Sequence, residues 1–494
     1  MGACLLLACT HVSVSADDFD DFVKSMQQDF NDFKKGNEKD FEDFRQQINK
    51  EMLEFMKNPW VEVKPEKPKP KPVEPRPVVI DYDENKEQEK EKTAPPKPEP
   101  KPIKQTVIPP KPKPQPQPVS PVKNDKEPLR TQTVRMYGTD FTLSKTDLPS
   151  LSLAGALNDN VIRKNLEKLM ATDTDALLKS CLDARSKYNL CDWAYIKLLE
   201  KVGETYYGKN SNMARLLWAY LMQQSGYSIR YGYEGSEFFP LFECDDVIYE
   251  HKYFLIDGQM FYVKEKTNGA LYISNFKYPG EQAVSMAINA VPAFAEQKSP
   301  ARDITVHSYP DLKLSVSTNK NLIDFYNDFP QSTLGVDPYA KWALYGNVPA
   351  TPQLRAIYPA LRRAIAGKNQ HDAASILLKV AQTFPYGYDD EIWGGDRPFF
   401  PDESWFYPKS DCEDHAIHFS RLVRDLMGLD VALVYYPGHL SAAVAFTDNS
   451  VKGEYVIHNG RAYTFCDATY FYAPVGKPAP SNDSSSAILI DLKR

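Results

Sequence analysis

Apolar positions change their period along this chain, and each change marks a segment. Between residues 17 and 58 a motif recurs every 11 residues, as Asp18-Phe19-Asp20-Asp21-Phe22, Asp29-Phe30-Asn31-Asp32-Phe33, Asp40-Phe41-Glu42-Asp43-Phe44 and Glu51-Met52-Leu53-Glu54-Phe55. An 11-residue repeat corresponds to about 3.67 residues per turn, which predicts a nearly straight or slightly right-handed helical stripe rather than a heptad coil. Gly36 and Asn37 weaken its continuity. A stripe of this kind must be covered. Self-association through residues 17–58 is the preferred reading, with docking on a partner or a membrane face as alternatives.

From Pro59 to Pro128 the periodicity disappears into runs such as Lys67-Pro68-Lys69-Pro70-Lys71-Pro72. This composition predicts extended polyproline-II linker over residues 59–130 rather than core. At about 3.1 Å per residue it would reach on the order of 200 Å when stretched, enough for a spacer between an anchor and a globular head.

Regular periodicity resumes near Thr131. Ala416, Phe419, Leu422, Val423, Leu426 and Met427 predict a helix stopped by Gly428. Val431–Tyr436 reads as a strand, Pro437-Gly438 as a turn, and His439 stands at the start of the next strand, Ser441–Phe446. Tyr455–Ile457 and Ala462–Phe465 flank Asn459-Gly460, a hairpin signal. Residues 301–331 predict strand and residues 353–383 predict helices broken at Gly367-Lys368. Part of this pattern occurs twice. Asn210, Ala214, Gly226, Tyr253 and Gly258 stand 202 residues before Cys412, Ala416, Gly428, Tyr455 and Gly460, which implies an internal duplication. The fold class expected is α+β, with one unit at 131–330 and a second at 331–494.

Candidate chemistry lies in the second unit. Ser410-Asp411-Cys412-Glu413-Asp414-His415-Ala416, Pro437-Gly438-His439-Leu440-Ser441 and Phe465-Cys466-Asp467-Ala468-Thr469-Tyr470 supply a thiol, an imidazole and a carboxylate. At a helix N-terminus the free amides and the macrodipole favour an anion, so the Cys412 thiol is expected to have a lowered pKa. Asp467, on a strand beside the one carrying His439, would bind the far ring nitrogen. The first unit has Asn210, Glu237 and Glu265 at the positions of Cys412, His439 and Asp467, so it cannot run the same chemistry.

The three motifs resemble the transglutaminase-like superfamily, a papain-related thiol fold, over roughly residues 370–475. The resemblance implies that Cys412 is the nucleophile, His439 the general base and acid, and Asp467 the residue orienting His439. It implies cleavage or exchange of amide bonds in a protein or peptide substrate, and bacterial members are often read as cysteine peptidases. It also implies that Trp393 or Trp405 assists the oxyanion, and that residues 131–330 are a degenerate transglutaminase-like unit. A cross-linking transamidase and a non-catalytic envelope or surface binding protein are the alternative functions.

The remaining composition narrows the setting. A formal charge of −7 over 494 residues argues against a general nucleic-acid binder, and no apolar run of 18 residues predicts a membrane-spanning helix. Met1–Ala16 is short and apolar and reads as a signal peptide, with Leu6-Leu7-Ala8-Cys9 as an alternative lipobox that would anchor Cys9 in a membrane. Export to a bacterial periplasm, outer membrane or cell surface follows. Cys181 and Cys191 are close enough in sequence for a loop disulfide in that compartment. No cofactor is called for, and no metal site is expected, since His415 and His418 lack further spaced ligands.

Overall fold

The computed structural model describes residues 49–57, 60–72, 80–82, 99–116, 118, 130–278, 280–448, 453–480 and 486–492. The signal segment 1–16 with Cys9, and residues 17–48 of the 11-residue repeat, lie outside the described residues. The end of the repeat lies within them. Residues 49–55 are helical, and Met52 and Met56 are buried in the main core. Phe55 meets Phe276 at 5.6 Å between ring centroids, and the Tyr278 hydroxyl donates to Asn49 Oδ1 at 2.8 Å. This last repeat thus docks within its own chain.

The described parts of the Pro-rich stretch are extended, and they are not a free spacer. They supply four short strands, β1 (Val61–Val63), β2 (Ile80–Asp81), β3 (Pro100–Lys101) and β4 (Gln105–Val107). A hairpin of β5 (Thr131–Met136) and β6 (Thr139–Ser144) opens the globular part. The first unit then packs helix α1 (Asp192–Tyr207) on α2 (Asn212–Gln224), followed by β7 (Ile229–Glu234), β8 (Glu237–Glu243), β9 (Tyr253–Ile256), β10 (Gln259–Tyr262) and β11 (Leu271–Ser274). After the hairpin β12 (Arg302–Thr305) and β13 (Lys313–Val316), the second unit packs α3 (Gln370–Gln382) on α4 (Cys412–Met427). Its strands are β14 (Asp430–Tyr436), β15 (His439–Ala445), β16 (Tyr455–His458), β17 (Arg461–Cys466), β18 (Tyr470–Phe471) and β19 (Ile488–Asp491).

The two sheets share one strand order. The first runs β1-β11-β7-β8-β10-β9 and the second β3-β16-β17-β15-β14-β19-β4, so that β11, β7, β8, β10 and β9 correspond to β19, β14, β15, β17 and β16. The turns correspond as well. Asp257 and Gly258 have φ of 51° and 80°, and Asn459 and Gly460 have 49° and 74°, the doubly left-handed geometry of a tight hairpin. Mixed α+β architecture is therefore present twice.

The Pro-rich chain closes both sheets. Lys101 ends the strand on one edge of the second sheet, and Gln105 begins the strand on the opposite edge. Four residues span at most about 14 Å, so the edges lie close together and the sheet is curled into a barrel. Val63 pairs with β11, and Glu66 bridges to Tyr253 of β9 on the far edge of the first sheet. Strand alternation fills the second barrel with Ala432, Val434, Tyr436, Ala443, Val456, Phe465 and Leu489, while Val431, Leu433, Val444 and Cys466 face the helix side. The short Pro-rich strands cover the edges of β11, β16 and β19, which would otherwise offer longer unpaired edges to other chains.

Cys181 and Cys191 are free thiols, which corrects the expected loop disulfide. Cys181 is buried inside the helix Asp175–Lys187, whereas Cys191 caps the start of α1.

Candidate active site

Helix α4 begins at Cys412, as the periodicity predicts. Asp411 is the N-cap in a capping box with Asp414: the Asp411 side chain accepts from the third-position amide and the Asp414 side chain accepts from the Asp411 amide at 3.2 Å. Gly428, at φ 65°, ends the helix in the left-handed cap. The thiol is 3% exposed, and the backbone of Leu440, the residue after His439, lies beside it. Helix and strand thus bring Cys412 and His439 to the same place.

His439 Nε2 lies 2.9 Å from Asp467 Oδ2, and Asp467 is fully buried. Three backbone amides fix the carboxylate: Thr469 and Tyr470 donate to Oδ1 at 3.1 and 3.0 Å, and Ala479 donates to Oδ2 at 3.2 Å. Burial alone would neutralise both partners. Their mutual attraction outweighs it, holding the imidazole above and the carboxyl below their ordinary values. This pair leaves Nδ1 of His439 as the nitrogen that can serve the thiol.

The thiol itself differs from the expectation. Its pKa lies well above the ordinary 9.0, raised by burial and by the charges of Glu413 and Asp411. Among the described residues its side-chain hydrogen-bond acceptor is Glu413 Oε2 at 3.2 Å, and no hydrogen bond joins it to the imidazole. The helix dipole offers about half a positive charge at Cys412, and it loses to burial and to the neighbouring Glu413 and Asp411 carboxyl groups.

Those carboxylates belong to a larger cluster. Asp389, Asp411 and Asp414 bring side-chain oxygens within 4.8 Å of one another, as do Asp389, Asp396 and Glu413. Burial pushes Asp389 and Asp396 up to about 7, and Asp411 and Asp414 are also raised. Asp389 Oδ1, Asp411 Oδ1 and Glu413 Oε1 are buried with no hydrogen-bond partner. These two sets are all oxygen, which suits a hard divalent cation, while a third, Asp411, Cys412 and Glu413, includes the thiol. Such an ion would supply the positive charge that offsets Glu413 and Asp411. The expectation of no metal site rested on Cys and His spacing, and carboxylates gathered from the 384–407 loop and α4 leave no such signature.

Trp393 and Trp405 are packed among other rings, and the indole Nε1 of each is buried with no hydrogen-bond partner. Trp405 is 1% exposed and packs on Phe384 at 5.0 Å and His418 at 6.0 Å. Trp393 packs on Tyr407 at 4.8 Å and carries the Arg397 guanidinium 4.4 Å from its ring centroid. Tyr386 is an aromatic group that the fold brings near the thiol. Its backbone bridges to Ser410, its ring lies 6.2 Å from that of His415, and its buried hydroxyl has no hydrogen-bond partner. Burial raises its pKa, and the charges of Cys412, Asp411 and Glu413 add to the effect. The sequence signal for it is weak: one Tyr in an aromatic loop.

His415 and His418 are buried, and neither ring has a hydrogen-bond partner, so both are neutral core groups with pKa values lowered to about 4 and about 3. His458 is also buried, bonded to Asp491. In the first unit, Arg215 fills the corresponding site, pairing with Glu237 at 2.7 Å and approaching Glu265 at 3.6 Å.

Comparison with family models, curated proteins and solved structures finds no match to this chain.

Proposed function

We propose that this chain is an exported thiol enzyme acting on amide bonds of peptides or proteins, a transglutaminase-like cysteine peptidase or amidase with a papain-related second unit. The observation that carries the reading is the 2.9 Å His439–Asp467 pair beside a thiol at the first position of a helix. Cys412 would transfer its proton to His439 and attack the amide carbonyl. The Cys412 backbone amide and the Tyr386 hydroxyl are the donors available to the resulting oxyanion. His439, held charged by Asp467, would then protonate the leaving amine and activate water against the thioester. An amine acceptor in place of water would give cross-linking instead.

The protonated thiol held by Glu413 favours one second reading, a resting or non-catalytic binding module. Labelling of Cys412 with iodoacetamide across pH, in the wild type, Cys412→Ala and His439→Ala, separates the two. The enzyme reading expects His439-dependent labelling. Labelling no faster than that of an unstructured thiol, and unchanged without His439, would remove it.

A further inference from the structure

Among the described residues, the two-residue strand β18 pairs with a single other strand, and that strand comes from the Pro-rich segment. Tyr470 and Phe471 pair in parallel with Ile80 and Asp81, and the Tyr82 amide donates to the Phe471 carbonyl at 2.8 Å. The Tyr82 ring stands edge-on to Tyr470 at 5.5 Å and packs against the small cluster of Tyr470, Ala473 and Ala479.

That cluster is built into the loop that presents Asp467. Tyr470 and Ala479 are two of the three residues whose amides hold the Asp467 carboxylate. The Gln382 amide of α3 donates to the carbonyls of Asp467, Tyr470 and Ala473 at 3.1, 3.1 and 3.2 Å. The loop is therefore held by both Gln382 and Tyr82 of the Pro-rich segment.

We propose that Tyr82 is a positioning residue of the active centre, and that the Pro-rich segment, seated on β18, sets the orientation of Asp467 and through it the basicity of His439. The inference rests on the Cys-His-Asp reading above. It gives the Pro-rich segment a second role beyond sheet closure. A partner that grips this segment would compete with that seat.

The test uses the full chain with Tyr82→Ala and Tyr82→Phe, measuring peptide hydrolysis and Cys412 alkylation against pH. Tyr82→Ala is expected to lower kcat by about 10-fold or more, since small displacements of catalytic groups have effects of this size. It should also move the His439-dependent limb of both pH profiles downward, because a less well placed Asp467 supports the imidazolium less. KM should change little, and Tyr82→Phe should restore both readouts. Unchanged pH profiles in Tyr82→Ala, with a wild type whose labelling depends on His439, would overturn the positioning role alone. A wild type whose labelling ignores His439 would overturn the triad reading and this inference together.

Discussion

His418 offers a direct measure of how dry the face of α4 behind the nucleophile is. Its imidazole is fully buried, its ring centroid lies 5.2 Å from that of Phe384 and 6.0 Å from that of Trp405, and neither nitrogen has a partner. Desolvation, with the repulsion that a second proton on His415 and the Arg302 charge would exert, lowers its pKa from 6.5 to about 3. The unfolded chain therefore binds a proton that the folded chain refuses. Stability is intact above pH 6.5 and falls as the pH drops toward the folded value. Linkage gives a loss of about 2 kcal/mol at pH 5 and about 3 kcal/mol at pH 4. His418→Leu removes that term and is expected to change stability at pH 7.5 by less than about 1.5 kcal/mol. Raised carboxylates such as Asp389, Asp396 and Asp402 act in the opposite sense, but they are present in both proteins and cancel in the comparison. Urea unfolding at pH 7.5 and pH 5 would show His418→Leu gaining on the wild type by about 2 kcal/mol at the lower pH. Parallel losses in the two proteins would refute a buried, unpartnered imidazole.

Three other substitutions test the site and the docked linker. Glu413→Gln removes the charge that holds the Cys412 proton, so the pH for half-maximal alkylation should fall; an unchanged midpoint would mean that Glu413 does not control the thiol. Tyr386→Phe should slow acylation of Cys412 by an activated ester about 100-fold, the cost of one oxyanion donor, while leaving alkylation unaffected; equal effects on both would deny it that role. Lys104→Pro deletes the amide that donates to Ala487 O at 2.8 Å and should cost about 1 kcal/mol or more in urea unfolding. In a free polyproline spacer it would be silent.

The second unit was legible where local chemistry and burial agree. Cys412 starts a helix because Asp411 and Asp414 cap it, and Asn459-Gly460 makes a hairpin because both residues accept left-handed backbone. Other features depend on neighbours distant in sequence. Asp389 and Asp396 join the acidic cluster from a segment with no long periodicity, and the thiol's pKa is decided by burial and by Glu413 and Asp411, where the helix end alone would have lowered it. The Pro-rich strands pair over two or three residues, too few to leave an alternating pattern, and their composition records only the preference of an unbound chain. Phe384 and Trp405 place His418 in the core, where a helical wheel cannot show whether an imidazole finds a partner.

The duplicated unit shows how far the same topology can be separated from the chemistry. Strand order and hairpin geometry are kept, but α2 begins at Asn212, with Ser211 as its cap. Asn210, at the position of Cys412, therefore lies outside the helix in a left-handed turn with φ 57°. A thiol there would have neither a first-turn amide cradle nor an imidazole, since Glu237 replaces His439 and is bound by Arg215. Restoring residue types alone should thus fail. In a Cys412→Ala background, Asn210→Cys with Glu237→His is expected to alkylate as an ordinary thiol, with no dependence on the introduced imidazole. A pH-shifted, histidine-dependent reactivity at position 210 would show instead that the first unit keeps a working backbone frame, and that only its side chains were exchanged.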